Sequence, residues 1–139
     1  MPATQSRIND FVLKIATVNG TGSASANGLL MKALFRMGVP VTGKNLFPSN
    51  IQGLPTWYEI RANHAGYMSA SGRVDVMVAM NVQTYQKDLD EVSPGGFLVY
   101  DSTWPRDRQL YREDITVLGV PLAILCTVAF SVARFRILM

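Results

Sequence analysis

Residues 19–25, Asn-Gly-Thr-Gly-Ser-Ala-Ser, set Gly20 and Gly22 beside the hydroxyls of Thr21, Ser23 and Ser25, with Asn19 at the head of the turn. These residue types suit an anion. Glycine permits a positive φ and a close approach to the backbone. Serine can cap a helix or hold a phosphate oxygen. The free N–H groups and dipole of a helix start favour negative charge. The segment is neither a dinucleotide fingerprint nor a Walker A loop. Ser25 stands where the last glycine of G-x-G-x-x-G would fall, and no G-K-[ST] follows. A tight strand-to-helix turn packed under a neighbouring subunit would use the same residues, so pattern alone leaves both readings open. A second polar stretch, 43–61, carries Lys44, Asn45, Ser49, Asn50, Gln52 and Gly53. Interleaved with them are Leu46, Phe47, Ile51, Leu54, Trp57 and Tyr58. So much apolar surface in a polar loop predicts an interface.

Little else in the chain could do chemistry. His64 is the single histidine and falls in a predicted turn, where a solvated side chain is expected. No Ser/His/Asp arrangement can be built around it. Asp75, Asp88, Asp90, Glu91, Asp101 and Asp107 show no carboxylate pairing. Asp101 ends a predicted strand and reads as a cap rather than a catalytic acid. Cys126, the only cysteine, lies in "PLAILCTVAF" and is expected to be a buried, inert thiol. One cysteine excludes an internal disulfide and a cysteine-only metal site.

These residues need elements to position them. The apolar run "DFVLKIATV" (10–18) predicts a buried parallel strand that feeds the glycine loop. A helix follows over 26–38, with Leu29, Leu30, Ala33, Leu34 and Met37 at helical spacing and Gly38 as its C-cap. A short strand over 39–47 leads into a loop over 48–55. "TWYEIRANH" alternates, placing Trp57, Glu59 and Arg61 on one side and Tyr58, Ile60 and Ala62 on the other. This strand is the candidate for antiparallel pairing. A buried strand over 73–81, an amphipathic helix over 82–92 and strands over 97–103 and 115–122 complete the pattern. A helix is predicted over 123–139, with Arg134 and Arg136 near its end. Alternating strands and helices predict an α/β fold: three layers, α/β/α, with a mainly parallel, Rossmann-like sheet.

The bulk numbers agree. A chain of 139 residues is the size of one domain, and 48% hydrophobic residues can fill its core. The 17% of charged residues lies below the usual roughly 25%. A net charge of +3 with scattered Lys and Arg argues against nucleic acid. The run "VLGVPLAILCTVAF" holds a proline and is too short to span a bilayer, and the N-terminus lacks the apolar core of a signal peptide. A cytoplasmic, membrane-free location is the expectation.

With both loops placed, the chain resembles the gamma domain of the 2-oxoacid:ferredoxin (acceptor) oxidoreductases. More narrowly, it is similar to the N-terminal part of the 2-oxoglutarate:ferredoxin oxidoreductase alpha subunit. That family opens with a strand, a G-x-G-G-Q-G loop and a helix ending in glycine. Here Asn19-Gly20-Thr21-Gly22 and then Leu30 to Gly38 correspond. Asn19 and Thr21 replace the family's Gly and Gln, and Thr17 stands for its first glycine. "SNIQGLPTWYEIR" matches a turn followed by an Arg-bearing strand. "VDVMVAMN", "GGFLVYDST" and "ITVLGVPLA" follow in the family's order, so the resemblance spans positions 10 to 130. It implies a non-thiamine-binding piece of a complex that oxidatively decarboxylates a 2-oxoacid to an acyl-CoA. Thiamine diphosphate and iron–sulfur clusters would sit in partner domains, ferredoxin would accept the electrons, and this chain would pack on the catalytic domains and help bind CoA. The resemblance assigns the contact to Asn19, Gly20, Thr21, Gly22, Ser23 and Ser25, with Ser49, Asn50, Gln52 and Gly53 at the mouth. It also implies one gamma-type domain over 1–139, truncated at its C-terminal end, because the family's domain continues past Met139. An independent anion- or nucleotide-binding module and a purely structural interface domain remain the alternative readings.

Overall fold

The computed structural model describes residues 9–47, 53–69, 71–103 and 110–127. Its elements run β1 (Asp10–Val18), α1 (Ser23–Arg36), β2 (Val41–Leu46), β3 (Pro55–Asn63), β4 (Val76–Ala79), α2 (Tyr85–Glu91), β5 (Phe97–Asp101) and β6 (Thr116–Val120). A 3-10 turn, Val82–Thr84, leads into α2. Residues 122–127 are helical. The strands form one six-stranded sheet in the order β2-β3-β1-β4-β5-β6.

The central strands β1, β3 and β4 carry most of the buried residues, whereas β2 and β6 at the two edges stay partly exposed. β1 pairs parallel with β4, β4 with β5 and β5 with β6. β3 is the exception: it lies antiparallel between β1 and β2. The observed sheet is therefore mixed, with its parallel half on the β4–β6 side. The alternation read in 57–62 is preserved. Trp57 pairs with Ala16 and Tyr58 with Ile15, so neighbouring residues of β3 face opposite sides of the sheet.

One helix covers each face. α1 lies over β2 and β3, where the Tyr58 hydroxyl meets Met31 Sδ at 3.7 Å. α2 lies on the other face, over a core of Met77, Ala79, Tyr85, Leu89, Val92 and Leu98. There the Trp57 indole donates to Asp88 Oδ1 at 2.8 Å, and Lys14 pairs with Glu91.

Two sequence expectations are corrected. α1 starts at Ser23 rather than 26, and its inward stripe is Ser23, Asn27, Met31 and Leu34, with Asn27 the one buried residue. Leu29 is 67% exposed and Met37 77%, because the sheet covers only one side of this helix and its outer side carries apolar residues beside Ser25, Lys32 and Arg36. Cys126 is exposed, because residues 124–127 of its helix all lie at the surface. Ser49, Asn50, Ile51, Gln52, Asp107, Arg134 and Arg136 lie outside the described residues.

Candidate functional site

β1 is the strand from which the chain turns both ways. α1, β2 and β3 build outward on one side, and β4, α2, β5 and β6 on the other. Ligands of open α/β sheets settle at the carboxyl ends of the strands beside such a switch point. The glycine turn follows Val18 at that place. Gly20 and Gly22 hold φ values of 88° and 76°, which L side chains rarely adopt. Gly22 is the N-cap of α1. No side chain caps the helix, and its first turn holds no acid. The partial positive charge of that helix end is therefore left for something else.

The two loops read as separate in the sequence are joined. Asn19 N donates to the Leu54 carbonyl at 2.8 Å, and Gly53 N donates to the Asn19 carbonyl at 3.0 Å. This works because β2 and β1 point the same way, so the loop after Leu46 opens on the edge that bears the glycine turn. Thr21 caps its own turn, its hydroxyl donating to the Val18 carbonyl at 2.8 Å. Ser23 Oγ and Thr17 Oγ1 are 2.9 Å apart, which ties the helix start to the strand end. Ser25 is exposed, and its N–H donates to the Gly22 carbonyl at 3.2 Å.

Two hollows flank the first turn of α1. One, of 230 Å³, runs toward β2 and β3 and is lined by Asn19, Gly20, Gly22, Asn45, Phe47 and Tyr58 among others. The other, of 370 Å³, runs toward β4 and is lined by Val18, Thr21, Ala26 and Met80 among others. Thr17, Gly22, Ser23 and Asn27 line both. Neither lining contains an Asp, Glu, Lys, Arg or His. Asn27 was not anticipated from the sequence. Its spacing of four from Ser23 and four from Met31 was the available signal, since it puts a polar residue on the inward stripe. Trp57 and Tyr58 lie in β3, as the alternation of 57–62 predicted, and are buried there rather than part of an exposed patch, while Phe47 is 48% and Leu54 37% exposed.

On the opposite face of the same strand ends, a third hollow of 410 Å³ is lined by Lys14, Lys44 and Lys87 beside Phe47 and Trp57. Lys87 stacks on the Trp57 ring at 4.0 Å.

Asp101 is a cap, as its strand-end position suggested. Burial pushes its carboxyl up, but hydrogen bonds from the Thr103 hydroxyl and N–H, and from the Ala123 and Leu122 N–H groups, outweigh this and hold it below the usual aspartate value. It thereby anchors the helix at 122–127. Among the described residues, no group of three or more His, Cys, Asp or Glu could hold a metal ion, and no helix is long and apolar enough to cross a membrane.

Comparison with known proteins adds an independent line. The family model for pyruvate ferredoxin/flavodoxin oxidoreductase matches residues 12–135. Subunit alpha of 2-oxoacid:ferredoxin oxidoreductase 2 from Aeropyrum pernix is 32% identical over 113 residues, covering 81% of this chain and 17% of that protein. Among solved structures, 2-oxoglutarate:ferredoxin oxidoreductase from Magnetococcus marinus, with 2-oxoglutarate, coenzyme A and succinyl-CoA bound, superposes with a TM-score of 0.71. It shares 25% identity and covers 85% of this chain and 21% of that one. The gamma subunit of a keto/oxoacid ferredoxin oxidoreductase from Geobacter sulfurreducens has a TM-score of 0.62 at 15% identity, over 81% of this chain and 62% of that one. That last likeness is one of fold. The chain thus spans 17% of the curated relative's length and 21% of the Magnetococcus chain.

Proposed function

Because this chain belongs to the pyruvate ferredoxin/flavodoxin oxidoreductase family, we propose that it is the gamma-type part of a 2-oxoacid:ferredoxin oxidoreductase that helps bind coenzyme A. The reaction of such an assembly would be oxidative decarboxylation of a 2-oxoacid, with 2-oxoglutarate the favoured substrate, to an acyl-CoA, with ferredoxin taking the electrons. Thiamine diphosphate and iron–sulfur clusters would reside in partner domains and supply the carbon and electron chemistry there. This chain's part would be to hold the cosubstrate.

One observation carries the reading: the uncapped start of α1, at the carboxyl edge of the sheet, opens into two uncharged hollows. A diphosphate would meet the N–H groups of the Gly20–Ser23 turn and the positive end of the helix. Asn19, Thr21, Ser25 and Gly53 would shape that turn, and Ser49, Asn50 and Gln52 would line its mouth. Lys44 and Lys87, on the other side of the strand ends, add positive potential for a polyanion. The Magnetococcus relative, of similar fold and bound to coenzyme A, supports the choice of ligand.

The test is co-expression with the neighbouring oxidoreductase subunits, size-exclusion chromatography with mass detection, and titration of the product with coenzyme A. Co-elution and saturable binding are expected. A monodisperse chain that ignores those subunits and the coenzyme would sink the proposal.

A further inference from the structure

Asn27 is 8% exposed, one helical turn in from the start of α1, and lines both hollows. Its side chain makes no hydrogen bond among the described residues, whereas Thr17, Ser23, Thr21 and Asn19 around it are all engaged. Its amide is not sealed in the core but opens onto the two hollows, where it has a free donor and a free acceptor for a ligand. Nothing in local structure calls for it. Asparagine is a poor interior helix residue, and Met31 and Leu34 fill the rest of the same stripe.

The geometry points to Asn27 as a ligand-reading residue. Its amide pairs with a neutral group that offers both a donor and an acceptor, on a ligand whose anionic part sits at the Gly20–Ser23 turn. Three observations fix that chemistry. An amide presents one acceptor and two donors, so it matches an amide or a purine edge better than a phosphate, which only accepts. The lining holds no cation, so an anion this deep would be desolvated without a counter-charge. Asn27 is four residues past Ser23 on the same face, which separates the two contacts by about 6 Å along the axis. A ligand with a diphosphate and a neighbouring amide-bearing arm or adenine spans that distance.

This inference rests on the proposed coenzyme A role, where the group is either an amide of the pantetheine arm or the adenine edge. The test is calorimetric titration of the full protein in its assembled complex, wild type and Asn27→Leu, with coenzyme A and with adenosine 3′,5′-bisphosphate, which lacks the arm. Leucine has a similar size and no hydrogen bonds. The variant is expected to bind coenzyme A at least about tenfold more weakly, while the ligand-free protein melts no lower, because the amide has no hydrogen bond within the described residues to lose. A parallel loss for the bisphosphate assigns the adenine, and an unchanged bisphosphate assigns the arm. Should the leucine variant not fold, Asn27→Ala, which adds no volume and favours the helix, is read the same way. Equal affinity for coenzyme A in wild type and variant overturns the inference alone. So does a lowered melting point in the ligand-free variant, which would make Asn27 a structural residue. A wild-type protein that binds no coenzyme A overturns the proposed function and this inference with it.

Discussion

Asp88 is fully buried, held by the Trp57 indole at 2.8 Å and by the Thr84 hydroxyl at 2.7 Å. Burial raises its pKa above the usual aspartate value of 3.8, against the pull of those two donors and of Lys14, while the nearby Glu91 adds to the rise. The consequence for stability has a definite sign. A carboxyl raised in the fold binds its proton more tightly there than in the unfolded chain. Its contribution is therefore complete below 3.8 and is lost as pH climbs through the raised value. Asp10, held down first by Asn63 and then by Arg61, behaves oppositely, its stability being lost as pH falls below 3.8. Asp88→Asn keeps an acceptor for Trp57 and removes the titration. The urea midpoint of the wild type should decline relative to the variant from about pH 4 upward and then level off. A difference between the two that stays constant with pH would mean that Asp88 is not raised. None of this was legible in the sequence. Asp88 looked like one acid among several, because its partners lie on β3 and in the turn before α2, and only the fold assembles them. Asn27 was missed for a related reason. Its stripe was read from Leu29, Leu30, Ala33 and Met37, which the structure leaves outside, and of that set only Leu34 turns inward.

At the scale of elements, the sequence was read nearly correctly wherever a local rule decides. Each of the six strands overlaps a predicted one, and Gly38, at φ 82°, ends α1 as expected. The position of β3 is set instead by long-range pairing, which periodicity does not encode. The pair Gly95-Gly96 shows how much one turn can demand. Gly95 has φ 78° with open space around it. Gly96 has no such φ, but a Cβ there would sit 2.8 Å from the carbonyl oxygens of both Asp75 and Ser93. Both oxygens are already committed, accepting from Phe97 N and Gly96 N at 2.9 Å, so no side-chain rotation relieves the clash. Gly96→Ala should therefore cost about 2–3 kcal/mol. Gly95→Ala, strained only in φ, should cost about 1 kcal/mol. Chemical denaturation of the two variants tests the order, and a larger loss at Gly95 would mean that the β4–β5 junction relaxes around an added methyl. Gly22 follows the Gly95 rule. Nothing lies within 4 Å of its would-be Cβ, so its glycine serves the left-handed N-cap and not crowding.

At the scale of the whole molecule, α1 poses the remaining question, because it turns apolar residues outward. Leu29 and Phe35 are each 67% exposed and Met37 is 77% exposed. Large apolar side chains grouped on an exposed face mark an interaction surface. The chain spans 17% of one relative and 21% of another. On the proposed function, the outer face of α1 is covered by the catalytic domains of the oxidoreductase. Leu29→Glu and Phe35→Glu should then leave the chain's own fold intact, because neither side chain touches the core, and the loss of apolar surface should even improve its solubility. Assembly should suffer instead. A carboxylate forced into an apolar interface costs several kcal/mol, enough to abolish co-elution at micromolar concentrations. The same substitutions would leave assembly unchanged if this helix faced water in the complex. Coenzyme A binding would then separate the two roles of α1. Variants on its outer face should lose the coenzyme only as far as they lose the partner, whereas Asn27→Leu should lose it within an intact complex.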